Sequence, residues 1–130
     1  MSLSHHAIHG GWQLESFTAR DDDGGLRRPL GRHPRGLILY TADGWMSAQL
    51  APDPAGHDVE IAEYLAYGGR FQLDVPAATV RHDVVMSTMP ELLARPQLRH
   101  YRIEGDVLTL SAGMTGDDGV ATHSTLIWRR

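Results

Sequence analysis

The sequence contains no cysteine, no lysine and no asparagine. Without cysteine the chain cannot form disulfides, use a thiolate nucleophile or bind a metal through sulfur. All twelve basic residues are arginine, which excludes a lysine Schiff base. Without asparagine there is no acceptor for N-glycosylation. These absences remove several classes of enzyme and metalloprotein before any motif is considered.

Charge and hydropathy limit the partners and the location. The formal net charge is −4, which argues against nucleic acid or an anionic membrane as the main partner. No apolar run approaches the length of a membrane span, and the N-terminus lacks the pattern of a secretory signal. We therefore expect a cytoplasmic protein without nucleic-acid or membrane partners. The sequence does not decide whether the protein forms a homo-oligomer.

Motifs for metals and phosphates are missing as well. The sequence has no His-Glu-x-x-His motif, and its glycines fall in predicted turns rather than between a strand and a helix. His5, His6 and His9 precede the first predicted strand and could bind a metal only adventitiously, and the other histidines lack ligand spacing. We expect no metal and no cofactor, with a haem-binding barrel as a less favoured alternative.

Short runs of alternating apolar and polar residues indicate an antiparallel sheet in a single domain, residues 1–130, whose first eight residues are expected to be flexible. The predicted strands are residues 12–19, 36–41, 45–50, 70–74, 79–89, 98–104, 107–111 and 121–129. Asp58 is predicted to cap a short helix over residues 59–67, which Gly68 and Gly69 would end. Eight strands that close on themselves leave no exposed edge and enclose room for side chains or one small ligand. We predict an all-β, eight-stranded antiparallel barrel with one short helix, and an open sandwich is the rival architecture.

Five segments carry a resemblance to a known family. They are GGWQLESF at residues 10–17, PLG at residues 29–31, GLILYTADGWMSAQL at residues 36–50, YLAYGGRF at residues 64–71 and LIWR at residues 126–129. Together they resemble the bacterial lipocalin-like domain family, and the match runs over nearly the whole chain. The resemblance implies a calycin-type β-barrel with an internal cavity, but it implies no particular reaction.

The two ends of the sequence predict how such a barrel closes. Gly10 and Trp12 form a Gly-x-Trp motif on the first strand, and Arg129 lies near the end of the last strand. First and last strands are neighbours in a closed barrel, so the indole of Trp12 is expected to plug the closed end. Arg129 would then stack on this indole as a cation–π pair.

His82 and Arg99 are the candidates for chemistry. His82 shares one strand face with the apolar Val80, Val84 and Met86, which suggests that it points into the barrel. It is then either a hydrogen-bonded core histidine or a ligand contact and general acid or base. Arg99, if it faces inward, needs an anion or another acceptor, because an unpaired buried charge is costly. An outward arginine or an internal ion pair is the alternative.

Other polar side chains are candidates for the cavity wall. On the third predicted strand Ser47 and Gln49 alternate with apolar residues, and the alternation does not decide which set faces inward. The full set of predicted ligand contacts is Tyr40, Ser47, Gln49, Tyr64, Tyr67, His82, Met86, Arg99 and Tyr101.

Three functions fit this set of residues. The favoured one is binding of a small, mostly apolar or amphipathic molecule, with apolar walls for affinity and a few polar groups for orientation. The alternative is an isomerase or cyclase of a polyketide-like compound, in which His82 would move a proton and Arg99 or a tyrosine would stabilise an enolate. An interaction module with a filled interior is the third.

Overall fold

The computed structural model describes residues 6–55, 58–115 and 121–130. Within them the chain forms nine β-strands and two short 3-10 helices, Ile61–Glu63 and Pro90–Leu93. The strands are β1 (Gly10–Asp21), β2 (Leu26–Arg27), β3 (Arg35–Tyr40), β4 (Trp45–Ala51), β5 (Leu65–Asp74), β6 (Thr79–Ser87), β7 (Gln97–Glu104), β8 (Val107–Thr115) and β9 (Ala121–Arg129). Among the described residues, no helix is long and apolar enough to cross a membrane.

The nine strands form one antiparallel sheet that closes into a barrel. From β3 to β9 each strand pairs with the next along the chain, and β1 pairs with both β3 and β9. The long β1–β9 ladder, from Gln13↔Arg129 to Asp21↔Thr122, closes the ring of eight strands. The short β2 adds to the end of β1. The predicted eight-stranded antiparallel barrel is confirmed.

Alternation along the strands puts one face of each inside the barrel. On β4 the side chains of Met46, Ala48 and Leu50 are buried, and those between them lie on the outer face. The structure thus settles the question that the alternation left open, and Ser47 and Gln49 face outward. The reason is the neighbouring strand: Ala48 pairs with Ile38, which is itself buried.

The start of the chain covers one end of the barrel. Ile8 is 0% exposed and belongs to the core cluster. The indole Nε1 of Trp12 donates a 2.9 Å hydrogen bond to the carbonyl oxygen of Ile8. An apolar side chain and a buried donor thus connect Ile8 to the core of the barrel, and the flexibility expected for the first eight residues stays a prediction. Residues 1–5, including His5, lie outside the described residues.

The arginine that stacks on Trp12 is Arg130, not Arg129. The guanidinium carbon of Arg130 lies 4.0 Å from the centre of the Trp12 ring, and its Nη1 donates to the carbonyl oxygen of His9. Arg129 follows the inward Trp128, so strand alternation turns its side chain outward, where its Nε donates to Glu15. A cation–π contact therefore closes this end of the barrel as expected, but Arg130 makes it instead of Arg129.

Gly10 contributes to the same closure. It has a φ of +120°, which disfavours any residue with a side chain, and a Cβ there would lie 3.5 Å from Nη1 of Arg130.

The predicted helix over residues 59–67 is wrong in length and in type. A single 3-10 turn, Ile61–Glu63, is followed at once by β5, which pairs with β4 and β6 on its two sides. Gly68 and Gly69 do not end a helix but lie within this strand, at a β-bulge opposite β6. A Cβ on Gly69 would overlap the carbonyl oxygen of Asp83, so close strand approach explains this glycine.

Candidate ligand-binding site

An interior cavity of about 290 Å³ lies inside the barrel. Most of its wall is apolar, and all eight strands of the ring contribute to it. Representative apolar side chains are Phe17, Ile38, Leu50, Leu65, Leu110 and Leu126. Small-molecule sites in proteins span roughly 300–1,000 Å³, so this cavity suits a ligand of about one ring. A larger depression near Arg20 and His123 is a more open feature of the outer surface.

The side of the cavity between β6 and β7 is formed by the connection that joins these strands. Their ladder covers Thr79–His82 and Gln97–His100, and β6 then continues to Ser87. Met89 and Leu92, from the connection and its 3-10 turn, line the cavity here. A backbone hydrogen bond from Thr88 to Ala66 of β5 anchors the start of the connection. An apolar flap, rather than a continuous ladder, therefore covers this side.

Two tyrosines bracket the buried imidazole of His82. The hydroxyl of Tyr40 lies 2.6 Å from Nε2, and the hydroxyl of Tyr67 lies 3.2 Å from Nδ1. The shorter distance is typical of an O–H donor and the longer one of an N–H donor. We therefore assign the tautomer in which Tyr40 donates to Nε2 and Nδ1–H donates to Tyr67. Both ring nitrogens are then satisfied inside the protein.

Burial keeps these three groups uncharged at neutral pH. His82 is 1% exposed. Desolvation, with a smaller contribution from the positive charge of Arg99, lowers the pKa of His82 to about 3. Burial likewise raises the pKa of Tyr67 and raises that of Tyr40 well above its usual value. At neutral pH the imidazole is therefore neutral and both phenols keep their protons.

Arg99 places a guanidinium in the cavity wall. On β7 the partly buried residues alternate with exposed ones, and Arg99 belongs to the inward set. Its Nη1 donates a 3.0 Å hydrogen bond to the carbonyl oxygen of Leu98. Within the described parts of the chain, no carboxylate forms an ion pair with it. The guanidinium thus brings a positive charge and further N–H donors to an otherwise apolar wall.

Trp128 contributes a second unusual group to the wall. The residue is 1% exposed and lines the cavity. Among the described side chains, its indole Nε1 is the one buried polar atom without a hydrogen-bond partner. A buried donor without a partner costs roughly 1–3 kcal/mol, so it points to a missing acceptor.

The predicted ligand contacts separate into three groups. Tyr67, His82 and Arg99 lie together in the cavity wall, and Tyr40 lies behind the wall against His82. Tyr101 also faces inward but packs at the closed end, 5.8 Å from the ring of His6. The structure brings the polar candidates of β5, β6 and β7 to one place.

The remaining four candidates do not face the cavity, and these predictions are corrected. Ser47 and Gln49 lie on the outer face of β4, and Tyr64 lies in a surface groove beside Gln49. Met86 is 73% exposed because the bulge between β5 and β6 pairs Gly68 with Met86 but Gly69 with Val84, which skips one residue of β6. Beyond the bulge the alternation is reversed, so Met86 leaves the face of His82.

Sequence reasoning missed Trp128 and the two side chains of the flap, Met89 and Leu92. Trp128 could have been found, because it alternates with Arg129 on a correctly predicted strand. The flap residues carry no periodic signal, since they lie in a connection without regular pairing. As for metals, no cluster of three or more suitable side chains occurs among the described residues.

Comparison with known proteins agrees with this architecture. Residues 9–130 match the model of a family described as "Lipocalin-like domain". A relative from Aspergillus oryzae, named as a 4'-hydroxy-3'-methoxypropiophenone carrier protein, is 37% identical over an alignment of 87 residues, and the alignment covers 58% of this chain and 78% of the relative. The family match extends over nearly the whole barrel, from the residue before β1 to the last arginine. The chain therefore belongs to the lipocalin-like domain family.

Proposed function

We propose that this protein binds and carries a small, mostly apolar aromatic molecule inside the barrel. The observation that carries the proposal is the interior cavity of about 290 Å³, whose wall is apolar except for a few grouped polar side chains. Burial of a ring against such a wall supplies affinity, at about 25 cal/mol for each Å² of apolar surface removed from water. The polar side chains fix the orientation.

The relative supports the class of ligand. Its name describes a carrier of an acylated, methoxylated phenol, a molecule with one benzene ring and oxygen substituents. A cavity at the lower end of the usual size range suits a molecule of that size. By analogy, we take a single-ring aryl ketone as the first probe for this chain.

Two wall residues are proposed to orient the ligand, with support from a third residue behind the wall. Arg99 offers N–H donors and positive charge, and Tyr67 offers its hydroxyl, which is held by the Nδ1 of His82. Tyr40 is proposed to act indirectly, because its hydroxyl holds the imidazole of His82 in place through Nε2. These roles need no change of charge in the protein.

The isomerase or cyclase alternative has less support. A general base works best with a pKa near the operating pH. The pKa of His82 is lowered to about 3, and both of its ring nitrogens already have tyrosine partners. A proton abstraction by His82 would have to break one of these contacts. Binding makes no such demand.

Titration with 4'-hydroxy-3'-methoxypropiophenone tests the proposal. Tryptophan fluorescence should change on binding, because Trp128 lines the cavity, and calorimetry should give one ligand per chain. Ala112 lies in the wall, so Ala112→Phe should fill part of the cavity and weaken binding by at least about tenfold. Ser111→Phe puts the same ring on the outer face of the same strand and should bind like the wild type.

Circular dichroism and urea unfolding of both variants establish that they are folded. Equal binding by the wild type and by folded Ala112→Phe would show that the compound binds elsewhere. No saturable binding by the wild type would contradict the proposed function.

A further inference from the structure

Tyr67 and Arg99 bring free hydrogen-bond donors to the cavity wall, where the hydroxyl of Ser124 can donate as well as accept. Tyr67 accepts from Nδ1–H of His82, so its own O–H is left to point to another partner. Arg99 uses one N–H on the Leu98 carbonyl and keeps others. The indole N–H of Trp128 has no partner among the described residues. The acceptor nitrogen of His82, in contrast, is occupied by Tyr40.

The charge of the wall has one sign. Arg99 is the one wall side chain charged at neutral pH among the residues described, since Tyr67 keeps its proton and His82 stays neutral. A guanidinium cannot lose its proton in this range. Next to an apolar wall, such a charge attracts an anion more strongly than it does in water.

The charged groups on the elements packed around Arg99 leave this charge uncompensated. The one carboxylate of β6, Asp83, forms an ion pair with Arg81 at 3.0 Å on the outer side. On the connection after β6, Glu91 and Arg95 are exposed and carry opposite charges. The facing wall of β8 and β9 is formed by uncharged side chains.

We propose that the natural ligand is a weakly acidic aromatic compound, such as a phenol conjugated to a carbonyl group, and that it binds as its anion with the charged oxygen at Arg99. This inference rests on the proposed function and adds the chemical class of the ligand. On binding, the phenolic O–H bond breaks heterolytically, the electron pair stays on the oxygen, and the proton passes to the solvent. No oxidant or reductant is involved. The carbonyl oxygen is an acceptor for the remaining donors.

The ionisation of a bound acylphenol is directly measurable, because the phenolate absorbs at longer wavelength than the phenol. Burial opposes ionisation and outweighs the effect of Arg99 for the phenol of Tyr67, but an opposite charge within about 4–6 Å lowers the pKa of an acid by about 1–3 units. The pKa of the ligand is lowered only when its oxygen contacts the guanidinium directly, which is the arrangement proposed. We therefore expect 4'-hydroxy-3'-methoxypropiophenone, bound to the wild type, to ionise at least about one pH unit lower than free in buffer. This corresponds to at least about tenfold tighter binding of the anion than of the phenol.

A matched compound and two variants separate the effect of the ligand's charge from the effect of its shape on binding. In 3',4'-dimethoxypropiophenone the phenolic proton is replaced by a methyl group, so its binding should be independent of pH. Arg99→Gln keeps a hydrogen-bond donor but loses the charge, and it should remove the shift in ionisation while the dimethoxy compound binds within about threefold of the wild-type affinity. Arg99→Lys should retain part of the shift.

The outcomes distinguish the two proposals. Binding of both compounds without a shift in ionisation would overturn this inference and leave the proposed function intact. A shift that persists in Arg99→Gln would overturn the role of Arg99. Failure of the wild type to bind either compound would overturn both proposals. The wild-type measurement alone decides the ionisation state, whatever the stability of the variants.

Discussion

The buried imidazole of His82 predicts that the barrel loses stability in mild acid. In the folded protein the pKa of His82 is lowered to about 3, first because burial desolvates it and second because Arg99 is nearby. In the unfolded chain it returns to about 6.5. Between these two values the unfolded state binds more protons than the folded state. The free energy of unfolding therefore rises with pH through this window and falls as the pH is lowered.

The magnitude follows from the two pKa values. At about pH 5 the unfolded histidine is about 1.5 pH units below its pKa, whereas the folded one is still neutral. Each unit corresponds to about 1.4 kcal/mol, so His82 alone should lower the free energy of unfolding by about 2 kcal/mol between about pH 7 and pH 5. For a protein of marginal stability this is a large fraction of the total.

Urea unfolding followed by tryptophan fluorescence measures this loss. The chain has seven other histidines, so the informative quantity is the difference between the wild type and His82→Gln, which cannot titrate but can still hydrogen-bond both tyrosines. We expect the wild type to lose about 2 kcal/mol more than the variant over the same pH interval. Equal losses in the two proteins would refute the reasoning, as would an NMR titration in which His82 gains a proton above about pH 5.

Five further substitutions test the geometry by urea unfolding at neutral pH. Tyr40→Phe leaves a buried nitrogen without a donor and should cost about 1–3 kcal/mol, whereas Tyr67→Phe, where water in the cavity can replace the hydroxyl, should cost less; the reverse order would contradict the assigned contacts. Gly69→Ala should cost at least about 2 kcal/mol, and Gly113→Ala, with open space around it, should change little; equal effects would contradict the close strand approach. Arg130→Met should cost about 1 kcal/mol through the lost cation–π contact, and no change would remove its role in closure.

The fold was predictable because each strand carries a local signal that its neighbours reinforce. Apolar alternation predicted the eight strands of the ring. The prediction was wrong mainly at residues 59–69, which it assigned to a helix ended by Gly68 and Gly69. Whether such a segment is helix or strand depends on partners far away in sequence. β5 pairs with β4 on one side and with β6 on the other. Tertiary pairing therefore overrides a weak local preference.

The site was less predictable, because the direction of a side chain depends on register. On β6 the alternation holds from Val80 to His82 and then reverses at the bulge, so Met86 faces outward although it shares the sequence period. On β4 the sequence does not indicate which face points into the barrel. The pairing of Ala48 with the buried Ile38 of the neighbouring strand decides this. The prediction of the arginine that stacks on Trp12 was wrong by one position, since Arg130 rather than Arg129 makes this contact. Single-residue shifts of this kind are not encoded in local periodicity.

The same tyrosine–histidine–tyrosine contacts that stabilise the interior also determine what the cavity can recognise. Because Tyr40 occupies Nε2, the imidazole offers no acceptor, and because Nδ1–H occupies the oxygen of Tyr67, that hydroxyl acts toward the cavity as a donor. The neutral histidine leaves the charge of Arg99 unmatched within the described wall. Amines of the same size would meet a like charge and no free nitrogen acceptor, and pure hydrocarbons would leave the donors unsatisfied. The proposed preference for an acidic, oxygen-bearing ring thus rests on the way the polar groups of the core satisfy one another.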